Sequence, residues 1–83
     1  MNYKCPCCGF YTFEEEPDGT YYICPVCFWE DDPIQLQYET YEGGANHISL
    51  KEARKNYIEF GACERKYVGN VRQPLENEKT GID

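Results

Sequence analysis

Four cysteines stand as two Cys-x-x-Cys pairs, Cys5/Cys8 and Cys24/Cys27, with residues 9–23 between them. The thiolate is the metal-binding form of cysteine, and four such sulfurs about 2.3 Å from a zinc ion satisfy its tetrahedral preference. A two-residue gap lets one tight turn supply two ligands. The expected site is therefore a single zinc ion held by Cys5, Cys8, Cys24 and Cys27. A shell of this kind is closed. It leaves no position for water or substrate, which points to a structural ion and away from Lewis-acid catalysis.

Three further residues bear on chemistry. Cys7 fills the variable position of the first pair and reads as a spectator thiol; it can instead exchange with Cys8 as a ligand or act as a redox-sensitive thiol beside the metal. Cys63 reads as a small buried hydrophobe, with contact to Cys7 or the metal shell as the other reading. His47 is the only histidine, and reads as a loop residue bonded to backbone, although a Cys-His nucleophile is the alternative. The run Trp29-Glu30-Asp31-Asp32 reads as a solvated acidic surface whose tryptophan makes it a candidate partner-binding patch. The sequence holds no phosphate-cradling glycine loop, no Gly-x-Ser-x-Gly elbow and no His-Glu-x-x-His helix.

The chain has 83 residues, enough for one domain and close to the size at which a staple is needed. Met1-Asn2-Tyr3-Lys4 runs straight into the first cysteine pair without an apolar leader. A cytoplasmic location is the expectation, and there thiols stay reduced, favouring metal ligation over disulfides. No segment approaches the roughly 18 apolar residues of a membrane span. Fifteen acidic residues against eight basic give a formal net charge of −7, and four thiolates on a divalent ion add about −2. Phosphate binding needs basic side chains; Lys4 is the only lysine or arginine before Lys51. Direct nucleic-acid binding is not expected, whereas a basic protein partner is.

These residues must be positioned by the elements around them. Cys5-Pro6-Cys7-Cys8-Gly9 has the form of a zinc knuckle, with proline fixing its own φ and glycine free to take positive φ. Phe10–Phe13 and Thr20–Ile23 read as strands of a hairpin across a Pro17-Asp18-Gly19 turn signal. The second knuckle, Cys24-Pro25-Val26-Cys27, carries Phe28 where glycine is common, which suggests a looser turn or a helix opening at Pro25. Residues 33–48 read as extended or irregular, with Asp32-Pro33 a competing helix start. Ser49 to Phe60 is the expected helix: Ser49 and Glu52 form a capping-box pattern, Leu50, Ala53, Tyr57 and Phe60 recur at helical spacing with Ile58 beside them, and Gly61 ends it. The tail 69–83 is expected to be partly mobile. The fold class is thus a small α+β domain: a zinc-ribbon-like β-hairpin with two Cys-x-x-Cys knuckles over about 1–32, followed by one amphipathic helix packed on it.

These stretches together resemble the bacterial cysteine-rich CPCC family. The residues carrying the resemblance are Cys5-Pro6-Cys7-Cys8-Gly9-Phe10, Cys24-Pro25-Val26-Cys27-Phe28-Trp29-Glu30-Asp31-Asp32, Gly43-Gly44-Ala45-Asn46-His47-Ile48-Ser49-Leu50, Glu52-Ala53-Arg54 and Phe60-Gly61-Ala62-Cys63. The resemblance implies a small cytoplasmic bacterial protein with a bound metal, and no particular activity. Three functional readings follow. The leading one is a zinc-stapled protein-interaction module, in its sharper form an immunity or inhibitor protein that neutralises a basic toxin enzyme. The second is a thiol enzyme or redox sensor using Cys7 with Cys63 or His47. The third is a rubredoxin-like iron electron carrier, since such sites also pair Cys-Pro-x-Cys knuckles.

Overall fold

Each knuckle folds back on its own flanks, and the rest of the chain is wrapped around the pair. The computed structural model describes residues 2–82; Met1 and Asp83, at the outer ends of the expected ribbon and tail, lie outside the described residues. In the first knuckle the Cys5 amide donates to the Phe10 carbonyl at 2.8 Å and the Gly9 amide to the Cys5 carbonyl at 2.9 Å. The second repeats this at the same offsets, Cys24 to Trp29 at 2.9 Å and Phe28 to Cys24 at 2.8 Å. One antiparallel bridge closes each unit, Tyr3 with Phe13 and Ile23 with Glu30.

The β-hairpin expected between Phe10–Phe13 and Thr20–Ile23 is not formed among the described residues. Phe13 pairs backward to Tyr3 and Ile23 forward to Glu30. Within each unit the knuckle already brings its two flanks side by side, so little further loop entropy is lost in pairing them. What joins the units is side-chain contact: the Phe13 and Tyr22 rings meet edge to face, 5.0 Å between centroids. The structure is therefore mostly short helices and irregular backbone, with strand reduced to isolated bridges.

The segment expected to be extended begins with helix α1, Pro33–Gln37. The competing start signal prevails because Asp32 caps it: Oδ1 accepts from the Ile34 and Gln35 amides, and proline suits the first turn, where its missing N–H costs nothing. Helix α2 spans Leu50–Phe60, with Ser49 Oγ accepting from the Glu52 amide and Gly61 at φ +84 ending it. Leu50 and Ala53 are buried, and Tyr57 meets Phe10 edge to face. Ile58, expected beside the packed stripe, points outward with 87% exposure.

Beyond α2, a 3-10 helix covers Arg65–Asn70 and α3 covers Glu76–Thr80. The tail returns to the first knuckle unit, where the Tyr11 amide donates to the Glu78 carbonyl at 2.8 Å. Glu78 is buried, with both carboxylate oxygens taken by Arg72 at 2.8 and 2.9 Å. No described helix is long and apolar enough to cross a membrane.

A buried four-cysteine candidate metal centre

Both knuckles deliver their sulfurs through the same turn. Gly9 closes the first at φ +81 and Phe28 the second at φ +72. The second turn is thus neither loosened nor helical, as its missing glycine had suggested. A phenylalanine in the left-handed region costs roughly 1–2 kcal/mol. Its ring lies 4.6 Å from that of Tyr67, between centroids, and packing of this kind contributes about 0.5–1.5 kcal/mol beyond the area it buries.

The turns bring Cys5, Cys8, Cys24 and Cys27 together, with all four Sγ atoms within 4.8 Å of one another. The short contacts run between knuckles: Cys5 to Cys27 at 3.6 Å and Cys8 to Cys24 at 3.8 Å. Four ligands 2.3 Å from a tetrahedral ion lie about 3.8 Å apart along each edge of the tetrahedron. The cage therefore has the size of an occupied site. It is far from a disulfide, whose sulfurs bond at about 2.05 Å, and all six cysteines are free. Cys5, Cys24 and Cys27 are buried, while Cys8 is half-buried and forms the outer wall.

The electrostatics favour a cation at the centre. Hydrogen bonds from Cys27, Cys5 and Cys8 hold the Cys24 thiol well below its ordinary value. Cys27 and Cys8 are pushed up, chiefly by their bonds to Cys24, and burial pushes Cys5 up. The four thiols thus oppose one another's ionisation. A divalent ion lets all four ionise, releasing their protons as it binds. Thr12 Oγ1 lies 3.1 Å from Cys24 Sγ, and the Cys7 amide donates to Cys5 Sγ at 3.4 Å. Such bonds orient the ligands and draw charge from the sulfurs.

The family model described as Cysteine-rich CPCC matches residues 3–78. The chain belongs to that family. No curated protein matches it.

The remaining predicted site residues separate into two groups. Cys7 and Cys63 come to the cage: both are buried in the cysteine-centred core, and the Cys63 amide donates to the Cys27 carbonyl at 2.8 Å. Burial pushes the Cys63 thiol up to about 12, so it is a packed thiol and not a thiolate at neutral pH. His47 is exposed in the loop before α2; its carbonyl accepts from the Gly43 amide, and no hydrogen bond among the described residues joins it to a cysteine.

The Trp29-Glu30-Asp31-Asp32 run is not a solvated acidic surface. Trp29 and Asp31 are fully buried and Asp32 nearly so, leaving only Glu30 partly exposed. Asp31 Oδ2 accepts from the Gly19 and Thr20 amides and from Thr20 Oγ1. Asp32 Oδ2 accepts from the Ala45 amide at 2.8 Å while its other oxygen caps α1. Burial opposes the Asp32 charge, but the amides of Ala45, Gln35 and Ile34 together hold its carboxyl below the usual range. These acids are internal acceptors because free amides of two loops converge on them.

Several supporting residues escaped the sequence reading. Gln35 is fully buried; its Nε2 faces the carbonyls of Tyr41, Asn46 and Ile48, and its Oε1 accepts from the Asn46 backbone and side chain. Asn46 in turn pairs with the Glu30 backbone through both ends of its amide. This network pins the 41–48 loop to the second knuckle. Two prolines anchor the outer elements: Arg54 of α2 donates to the Pro6 carbonyl at 2.8 Å, and the Arg72 amide to that of Pro25 at 3.2 Å. A loop-pinning asparagine and a buried glutamine carry no sequence signal beyond their type.

Proposed function

We propose that the chain is a zinc-stapled module whose work is contact with another protein. The observation that carries this reading is the closed cage. Its sulfurs account for every position of a tetrahedral ion, so the metal serves the fold and leaves no coordination site for a reactant. Redox-inert zinc suits a centre buried in the core, where the cysteines themselves make much of the apolar cluster. Support for the contact role comes from the surface, which is acidic overall and exposes Tyr3, Tyr21, Tyr22, Tyr38 and Tyr41. Tyrosine is enriched at protein interfaces. A basic partner is the complement of such a surface, and neutralising a basic toxin enzyme is the sharper form of this proposal.

Elemental analysis of the natively expressed protein is the test of the metal. One zinc per chain is expected, retained in Cys7→Ser and Cys63→Ser and lost in Cys5→Ser. A coloured protein carrying stoichiometric iron would overturn the zinc assignment in favour of an electron carrier. For the partner, co-purification from the source cells should yield a basic protein whose association slows as salt rises.

A further inference from the structure

A cleft between the two knuckle units offers a defined place for a partner to bind. It is lined by Phe13, Glu14, Glu15, Thr20 and Tyr22 and encloses about 360 Å³. That is near the lower end of the roughly 300–1,000 Å³ found for ligand pockets, so it suits a side chain and not a folded segment. Phe13 is 1% exposed and Tyr22 is 43% exposed.

Negative charge converges on this cleft from several directions. Glu14 and Glu15 are exposed at its wall, and among the described residues neither is in an ion pair. Arg72 is committed to Glu78 through two bonds. Behind Thr20 sits the fully buried Asp31, whose Oδ1 has no hydrogen-bond partner among the described residues. Tyr22 leads by two residues into Cys24 of the cage, which stays net negative around a divalent ion. A planar cation that stacks on an aromatic ring and bonds to carboxylates matches these walls, and guanidinium does both where ammonium is only a point charge.

We propose that this cleft binds an arginine side chain of a basic partner protein, the guanidinium lying against Tyr22 and pairing with Glu14 and Glu15. The proposal rests on the protein-contact reading above and assigns its site.

The test is a titration of the isotope-labelled, zinc-loaded chain with a tetra-arginine peptide and, separately, a tetra-lysine peptide, read by amide chemical shifts at low salt. Saturable shifts are expected at Glu14, Glu15, Thr20 and Tyr22, with the lysine peptide binding more weakly. The double variant Glu14→Gln/Glu15→Gln should weaken arginine binding about 5- to 10-fold, and Tyr22→Leu about 2- to 5-fold. All three residues are exposed, and unshifted knuckle amides will confirm that the variants fold. Equal shifts at Glu39, Glu42, Glu59 and Glu64, or binding untouched by the double variant, would overturn the site. Saturable binding on another face would overturn the cleft while sparing the contact reading. Failure of both peptides to bind anywhere would remove both.

Discussion

Replacing Gln35 by leucine should unfasten the loop that leads into α2. Gln35 is 0% exposed. Its Nε2 lies 3.1 Å from the Tyr41 and Asn46 carbonyls and 2.9 Å from that of Ile48. Two protons serve three acceptors there, so at least one bond is shared. Its Oε1 accepts from Asn46 N at 3.0 Å and Asn46 Nδ2 at 2.9 Å. Leucine fills much of the same volume and satisfies none of these groups. Tyr41 is exposed and can turn to water. The Asn46 amide, one Asn46 side-chain proton and the Asn46 and Ile48 carbonyls are stranded; at about 1 kcal/mol each, the low end for an unmade buried bond, they cost about 4 kcal/mol. Burying leucine returns roughly 2 kcal/mol, leaving a net loss of about 2 kcal/mol. The assay is the denaturant midpoint of the metal-loaded protein together with hydrogen exchange at the Asn46 and Glu30 amides. Gln35→Glu is the control. It keeps an acceptor, but its charged form faces three carbonyls, which raises its folded pKa. By linkage its stability relative to the parent should fall as pH rises through and beyond the ordinary carboxylate range. An unchanged midpoint in Gln35→Leu, with exchange at both amides as slow as in the parent, would refute this reasoning.

Two other perturbations give comparably definite outcomes. A Cβ on Gly44 would sit 2.6 Å from Asp32 Oδ2 and 2.9 Å from Gln35 Cδ, whereas one on Gly69 meets nothing within 4 Å. Gly44→Ala should lose about 2–3 kcal/mol by displacing the Asp32 cap and its neighbour, while Gly69→Ala should stay within about 0.5 kcal/mol, both read from thermal unfolding. Hydrogen bonds from Arg72 hold the Glu78 carboxyl below its ordinary value against the opposing effect of burial. That stabilisation is fully present above the ordinary value of 4.5 and is lost as pH falls through the lower folded value. Proteolysis of the segment after Val71 should accordingly quicken in acid, and Glu78→Gln should be susceptible already at neutral pH.

Much of the centre was legible in the residues alone. The Cys-x-x-Cys spacing constrains each turn locally, so the four cysteines that cluster in the structure could be picked out before any tertiary information. Helix α2 was legible for the same reason, because Ser49, Gly61 and the Leu50/Ala53/Tyr57 spacing act within one or two turns. The hairpin was misread because Phe10–Phe13 and Thr20–Ile23 have strand character without specifying a partner, and the knuckle geometry offered each a nearer one. The role of Trp29-Glu30-Asp31-Asp32 was misread because charge suggests solvent, while the amides that bury Asp31 and Asp32 come from residues 19–20 and 45, distant in sequence.

By itself, then, the sequence determined which four cysteines cluster, the two turns that aim them, the α2 helix and the acidic balance of the chain. These depend on contacts a few residues apart or on composition. Tertiary structure decided which flanks pair, which acids are internal acceptors, where Cys7 and Cys63 lie relative to the cage, and that Phe13, Glu14, Glu15, Thr20 and Tyr22 share one cleft. Those outcomes turn on where distant backbone amides and carbonyls find partners, and local preference carries no record of that.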